Sequence, residues 1–140
     1  MKKVLILIMA LFMLTGCSSN NIKNISYKDL NKKFENKETF ILYFDGTDDE
    51  ILKDTLNKVL DKNNLTAYRL DTNKLKEEQI TELRYKADYE EPSIIFIKEG
   101  IDPSVITHVT DIYTTEETLT TKLTELGFIE INTNTDLNEE

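Results

Sequence analysis

The sequence predicts an α/β domain, a mixed central sheet of about four strands with helices on both faces. Three observations predict it. Short apolar, β-branched segments alternate with segments whose apolar residues recur at helical spacing. The last two strand-like segments follow each other without a helix, which favours antiparallel pairing. Capping residues stand where the helical patterns begin.

The elements follow in order. Ser26 opens a helix with Asp29 at its third position and Tyr27, Leu30 and Phe34 on one face. "TFILYFD" is apolar, aromatic and β-branched, a composition that suits a strand buried on both faces. From Glu50 the pattern changes to Leu52, Thr55, Leu56, Val59 and Leu60, and a capping box of Thr47 with Glu50 is expected there. "LTAYRLD" alternates as a second strand. Leu75, Ile80, Leu83 and Ala87 mark a helix that breaks before Pro92. "SIIFIK" is a third strand, "KEGIDPS" a turn and "VITHVTDIY" a fourth strand. Thr114 and Glu117 read as the capping box of a last helix lined by Leu119, Leu123 and Leu126. Gly127 suits that helix's left-handed end. A strand–helix–strand half of this kind implies a parallel pair with a right-handed crossover.

The first residues stand apart from this pattern. Lys2 and Lys3 precede an unbroken apolar run over residues 4–14, of signal-peptide length and too short to span a bilayer. The run ends in "LTGC" followed by "SSNN", which resembles the lipobox of bacterial lipoproteins. That resemblance implies cleavage before Cys17 and an acylated Cys17 carrying a diacyl or triacyl, palmitate-type anchor. The expected organisation is a signal peptide over 1–16, a lipidated tether over 17–25, a domain over 26–131 and a disordered acidic tail over 132–140. The expected location is the extracytoplasmic face of the cell membrane.

Counts bound the chemistry. Cys17 is the only cysteine, so an intramolecular disulfide is impossible and thiolate metal sites are excluded. His108 is the only histidine, which excludes a multi-histidine metal site; it falls on an alternating segment and reads as a strand residue. No metal or cofactor is expected. After residue 16 the chain keeps 15 of its 17 basic residues and all 26 acidic ones, a formal charge of −11. Such a charge disfavours nucleic acid and anionic head groups, so acyl chains rather than a basic patch would reach the membrane.

The element order, with "YEEPSIIFIKEG", resembles the thioredoxin-like fold. The resemblance covers residues 26–129. It implies that Pro92 is the cis-proline preceding a strand, with Phe96 and Gly100 in that strand and its turn. It also makes "FILYFD" the central strand before the active-site loop and "LTAYRLDT" the next strand. Small lipoproteins of this fold, some related to bacteriocin-transport accessory proteins, are the nearest group. The Cys-x-x-Cys pair of redox members is absent, and residues 46–51 ("GTDDEI") stand in its place.

That acidic junction admits several readings. "FDGT" matches the end of a D-x-D-G-T phosphatase motif, but Tyr43 at the nucleophile position cannot form an aspartyl-phosphate. A calcium loop starting at Asp45 would need glycine at Glu50 and an acid at Leu56. Both readings fail. What remains is a helix cap, with acids where the helix dipole favours them, alone or with a role in partner binding. The candidate binding face comprises Asp45, Asp48, Asp49 and Glu91. The functional expectation is a lipid-anchored, non-catalytic accessory module for a protein or peptide partner. An immunity or exclusion lipoprotein and a thiol-independent, chaperone-like descendant of an oxidoreductase are the alternatives.

Overall fold

Every residue of "FILYF" is buried, and the alternation of its side chains divides the core in two. Ile41 and Tyr43 face one hydrophobic layer, and Phe40, Leu42 and Phe44 face the other. In the computed structural model, which describes residues 20–46, 49–87, 92–100, 107–109 and 115–130, this strand is the centre of a five-stranded sheet. The strands are β1 (Ile22–Asn24), β2 (Phe40–Phe44), β3 (Ala67–Leu70), β4 (Ser93–Ile97) and β5 (Thr107–Val109). The helices are α1 (Tyr27–Glu35), α2 (Glu50–Asn63), α3 (Glu77–Ala87) and α4 (Glu116–Glu125), with a 3₁₀ turn at Thr72–Lys74.

Sheet order is β1-β3-β2-β4-β5. β1, β3 and β2 run parallel, while β4 is antiparallel to both β2 and β5. Register keeps faces matched: Ile41 lies opposite Phe96 and Tyr43 opposite Ile94 in one layer, Leu42 opposite Ile95 in the other. α2 and α4 cover the first layer with Leu52, Leu56, Val59, Leu60, Leu119 and Leu123. α1 and α3 cover the second with Leu30, Phe34, Leu83 and Ala87. Each of the leucine, valine and phenylalanine side chains among them contributes about 1.5–3 kcal/mol on full burial.

The expected α/β class and mixed sheet with helices on both faces are present. Three local expectations are corrected. Residues 17–25 are not wholly a tether, because Ile22–Asn24 joins the sheet as a fifth strand. The reason is non-local: Ala67 N–H donates to Asn21 O at 3.0 Å and Ile25 N–H to Arg69 O at 2.9 Å. On the other edge of β1 the Asn20 side chain accepts from Ile22 N–H at 3.2 Å. The last helix starts one residue later than expected, with a capping box of Thr115 and Thr118 rather than Thr114 and Glu117. The threonine hydroxyl at 118 reaches the Thr115 N–H at 2.9 Å. The start of α2 is the third correction and belongs to the site below.

Gly127 does take the left-handed conformation, at φ +76°. Gly100 (φ +83°) is required for a different reason: a Cβ there would stand 2.8 Å from the Lys37 Cα, across the turn where Gly100 N–H bonds Glu38 O.

Candidate functional site

β2 delivers the chain to the carboxyl end of the parallel strands. There α2 leaves towards one face, while β3 continues through the 3₁₀ turn to α3 on the other face. A divergence of this kind between neighbouring strands opens the crevice in which open α/β sheets bind ligands. Asp45 and Asp49 lie at this end of the sheet.

Asp49 caps α2. Its carboxylate accepts from Ile51 N–H at 3.1 Å and Leu52 N–H at 3.0 Å, with the extended backbone typical of a cap. This replaces the expected Thr47–Glu50 capping box. Aspartate is at least as good a cap as threonine, and its carboxylate also favours the positive end of the helix dipole. The carbonyl of Asp49 receives the Lys53 N–H at 3.1 Å and the Tyr43 hydroxyl at 3.4 Å, so the cap is fastened to the central strand.

Asp45 is corrected as well. It is no part of an exposed binding face: 1 % of its side chain is accessible, and it pairs with the Nε of Arg69. Asp45 extends β2, since its N–H bonds Leu70 O at 3.1 Å, and alternation turns its side chain to the layer of Ile41 and Tyr43. Arg69 lies opposite both Tyr43 and Asn24, and its Nη1 donates to Asn24 Oδ1 at 3.4 Å. The row Asn24, Arg69, Asp45 therefore ties the three parallel strands together at their carboxyl ends. Asn73 adds a tie by donating from Nδ2 to Gly46 O at 3.0 Å.

Pro92 is half-buried and precedes Ser93, which lies opposite Phe44, so the sheet brings Pro92 to the same end as Asp45 and Asp49. Cys17, Asp48 and Glu91 lie outside the described residues, and with Glu91 so does the geometry of the 91–92 bond. Two features escaped the sequence reading. Arg69 was read only as part of an alternating strand; its signal was a cation at an inward position of that strand. Ile51, 77 % exposed in the first turn of α2, is one residue out of phase with the stripe of Leu52, Leu56 and Val59. That phase slip was its signal.

As a chemical site the junction holds a spent carboxylate, a neutralised buried pair and one exposed aliphatic side chain. Among the described residues no cluster of three histidine, cysteine, aspartate or glutamate side chains is placed to hold a metal ion.

This architecture is the thioredoxin fold. The chain is similar to chloroplastic thioredoxin z, at 15 % identity and a TM-score of 0.57, over 75 % of this chain and 93 % of that one. It is similar to a putative oxidoreductase with a thioredoxin fold, at 15 % identity and a TM-score of 0.58, over 74 % and 95 %. Thioredoxin O2 from Arabidopsis thaliana matches at 13 % identity and a TM-score of 0.54, over 76 % and 95 %. No family model and no curated protein matches the sequence.

Proposed function

We propose that the protein is an extracytoplasmic lipoprotein, anchored through acylated Cys17, whose thioredoxin-like domain is redox-inactive and serves as a protein- or peptide-binding accessory module. The observation that carries this reading is the start of α2. At the end of the central strand the helix begins with a carboxylate committed to its own backbone N–H groups, in a chain whose single cysteine belongs to the lipobox-like "LTGC". Reversible two-electron thiol exchange requires two sulfurs, so this domain carries out none. What the junction offers a partner is exposed surface: Ile51 beside the acidic first turn, at the end of the sheet shared with Pro92. An accessory role beside a transport or secretion machine, as in the bacteriocin-transport group, suits a module of this kind.

One experiment with two readouts tests the proposal. In cells fed a labelled fatty acid, the wild-type chain becomes labelled and Cys17→Ala does not. The purified chain gives no disulfide reduction above background. Label retained on Cys17→Ala overturns the anchor, and turnover in the reductase assay overturns the redox-inactive reading.

A further inference from the structure

The chain enters the sheet at the end opposite to the candidate partner surface. β1 starts the sheet at the amino end of the parallel strands, and Asn21, just before it, is fastened to two neighbours. Its carbonyl accepts from Ala67 N–H at 3.0 Å, its N–H donates to Asn57 Oδ1 at 3.3 Å, and its Nδ2 donates to Asp61 Oδ1 at 3.5 Å. Asn57 and Asp61 belong to the far part of α2, six and ten residues beyond Ile51. We infer that the carboxyl end of the sheet, with Ile51, is held facing away from the bilayer. The partner that fits it is then a polypeptide segment presented from the aqueous side, rather than lipid or a segment lying on the membrane. This orientation rests on the acylated Cys17 proposed above.

Register gives the height. Ile22 and Ile41 both lie opposite Ala67, on its two sides, so they stand level in the sheet. Asn21 is one position below Ile22 and Asp45 four above Ile41. Five strand positions, about 17 Å, therefore separate the entry of the chain from the end of β2. α2 gives the same direction, since Ile51 lies about 9–15 Å along the helix from Asn57 and Asp61.

Cys17 is four peptide steps before Asn21, a reach of about 14 Å at full extension. To turn Ile51 to the head groups, these residues would have to double back along the outer edge of β1 at full stretch. That confines the backbone of Ser18, Ser19 and Asn20 to one extended path, which costs entropy at each residue. It also breaks the bond in which Asn20 Oδ1 accepts from Ile22 N–H. The opposite orientation, with the chain before Asn21 continuing the direction of β1, requires neither. The end brought to the head groups is then the rim in which Gly100 N–H bonds Glu38 O at 3.1 Å and Glu99 N–H bonds Thr39 Oγ1 at 2.9 Å. Exposed Lys98 stands on that rim, directly after β4.

Fluorescence quenching at a membrane tests this. With Cys17 acylated, an introduced cysteine is the only free thiol, so Ile51→Cys and Lys98→Cys each carry one thiol-linked fluorophore, at opposite ends of the sheet. The lipidated full chain is reconstituted into phosphatidylcholine vesicles in which a fraction of the head groups bears a nitroxide quencher. The label at position 98 is expected to be quenched several-fold more than the label at position 51. Inserting about twelve glycine and serine residues between Ser19 and Asn20 adds roughly 20 Å of average reach and should erase the difference. Flotation with the vesicles reads the anchor separately: chains that do not float overturn the anchor and the orientation with it. Chains that float with equal quenching at both positions, or with stronger quenching at 51, overturn the orientation alone. A difference that survives the insertion overturns the short tether as its cause.

Discussion

Two neighbouring parallel strands each end in an aspartate, and the two side chains meet opposite fates. Asp45 follows β2, turns inward and is sealed against Arg69. Asp71 follows β3, stays partly exposed, accepts from Asn73 N–H at 3.2 Å as the cap of the 3₁₀ turn, and pairs with the exposed Lys74. Residue type and place at the strand end are the same. Register sets Leu70 opposite Phe44, so alternation directs both carboxylates to the same face, and the difference lies in the cation each one meets, the largely buried Arg69 or the exposed Lys74. Carboxylates at a strand end are therefore to be judged by the cation within reach and its burial before any chemistry is assigned to them.

The largest effect that breaks this comparison is expected at Asp45. Asp45→Asn removes one member of a buried ion pair, for which the cost is about 3–5 kcal/mol. Since 28 % of the Arg69 side chain remains accessible to water, the loss should fall at the low end, near 3 kcal/mol. For a domain of about 100 residues that is a drop in Tm of roughly 12 °C or more, measured by calorimetry. Arg69→Met in the same chain should recover part of the loss, because the uncompensated guanidinium disappears with it. A Tm for Asp45→Asn within 3 °C of wild type, on the order of measurement scatter for a surface change, would put Asp45 in the same class as Asp71.

A middling effect is expected at Asp49, whose carboxylate lies between the two extremes. Asp49→Ala leaves the Ile51 and Leu52 N–H groups without their side-chain acceptor and should cost about 1 kcal/mol, whereas Asp49→Asn should cost little. Denaturant midpoints at constant m-value distinguish the two. If alanine and asparagine cost the same, capping is not what Asp49 contributes.

Asp71 should give the smallest effect and the one most sensitive to solution conditions. The hydrogen bond from Lys74 chiefly, and then its charge, hold the Asp71 carboxyl below its usual range. A depressed carboxylate contributes stability that is present above the unfolded-state pKa, about 3.9, and is lost as pH falls through the folded value. Asp71→Asn should therefore lose a small amount of stability at neutral pH and converge with wild type at acid pH, which flattens the acid side of the stability–pH curve slightly. The difference should fade at about 1 M salt, where the Debye length is near 3 Å. A salt-independent loss at neutral pH would show that the cap, rather than the ion pair, is what Asp71 provides.

Much of the fold could be read from the letters because its strong elements are local. β2, β4 and the apolar stripes of α1 and α2 carry their burial pattern in their own spacing. β1 was missed because it is three residues long, two of them exposed, and becomes a strand only through the ladder to β3, over 40 residues away. The starts of α2 and α4 were misplaced by one or two residues because several good caps stand in a row, and only the reach of one side-chain oxygen selects among them. The site was less legible than the fold. That the junction caps a helix followed from its acids; that Asp45 is buried did not, since the partner that makes burial tolerable lies 24 residues further along the chain.

The first strand, at Ile22–Asn24, also bears on how the molecule would search for partners. With Cys17 acylated as proposed, only five peptide steps separate the lipid from the sheet, a reach of about 17 Å at ~3.4 Å per step. A domain of this size has a radius of gyration near 13 Å, comparable with its leash. It would sweep a thin layer above the head groups instead of ranging through the envelope, and its encounters would become two-dimensional. Any partner fixed in the same bilayer would then meet it at a high effective concentration without a strong interface, while a freely diffusing one would gain nothing from the anchor.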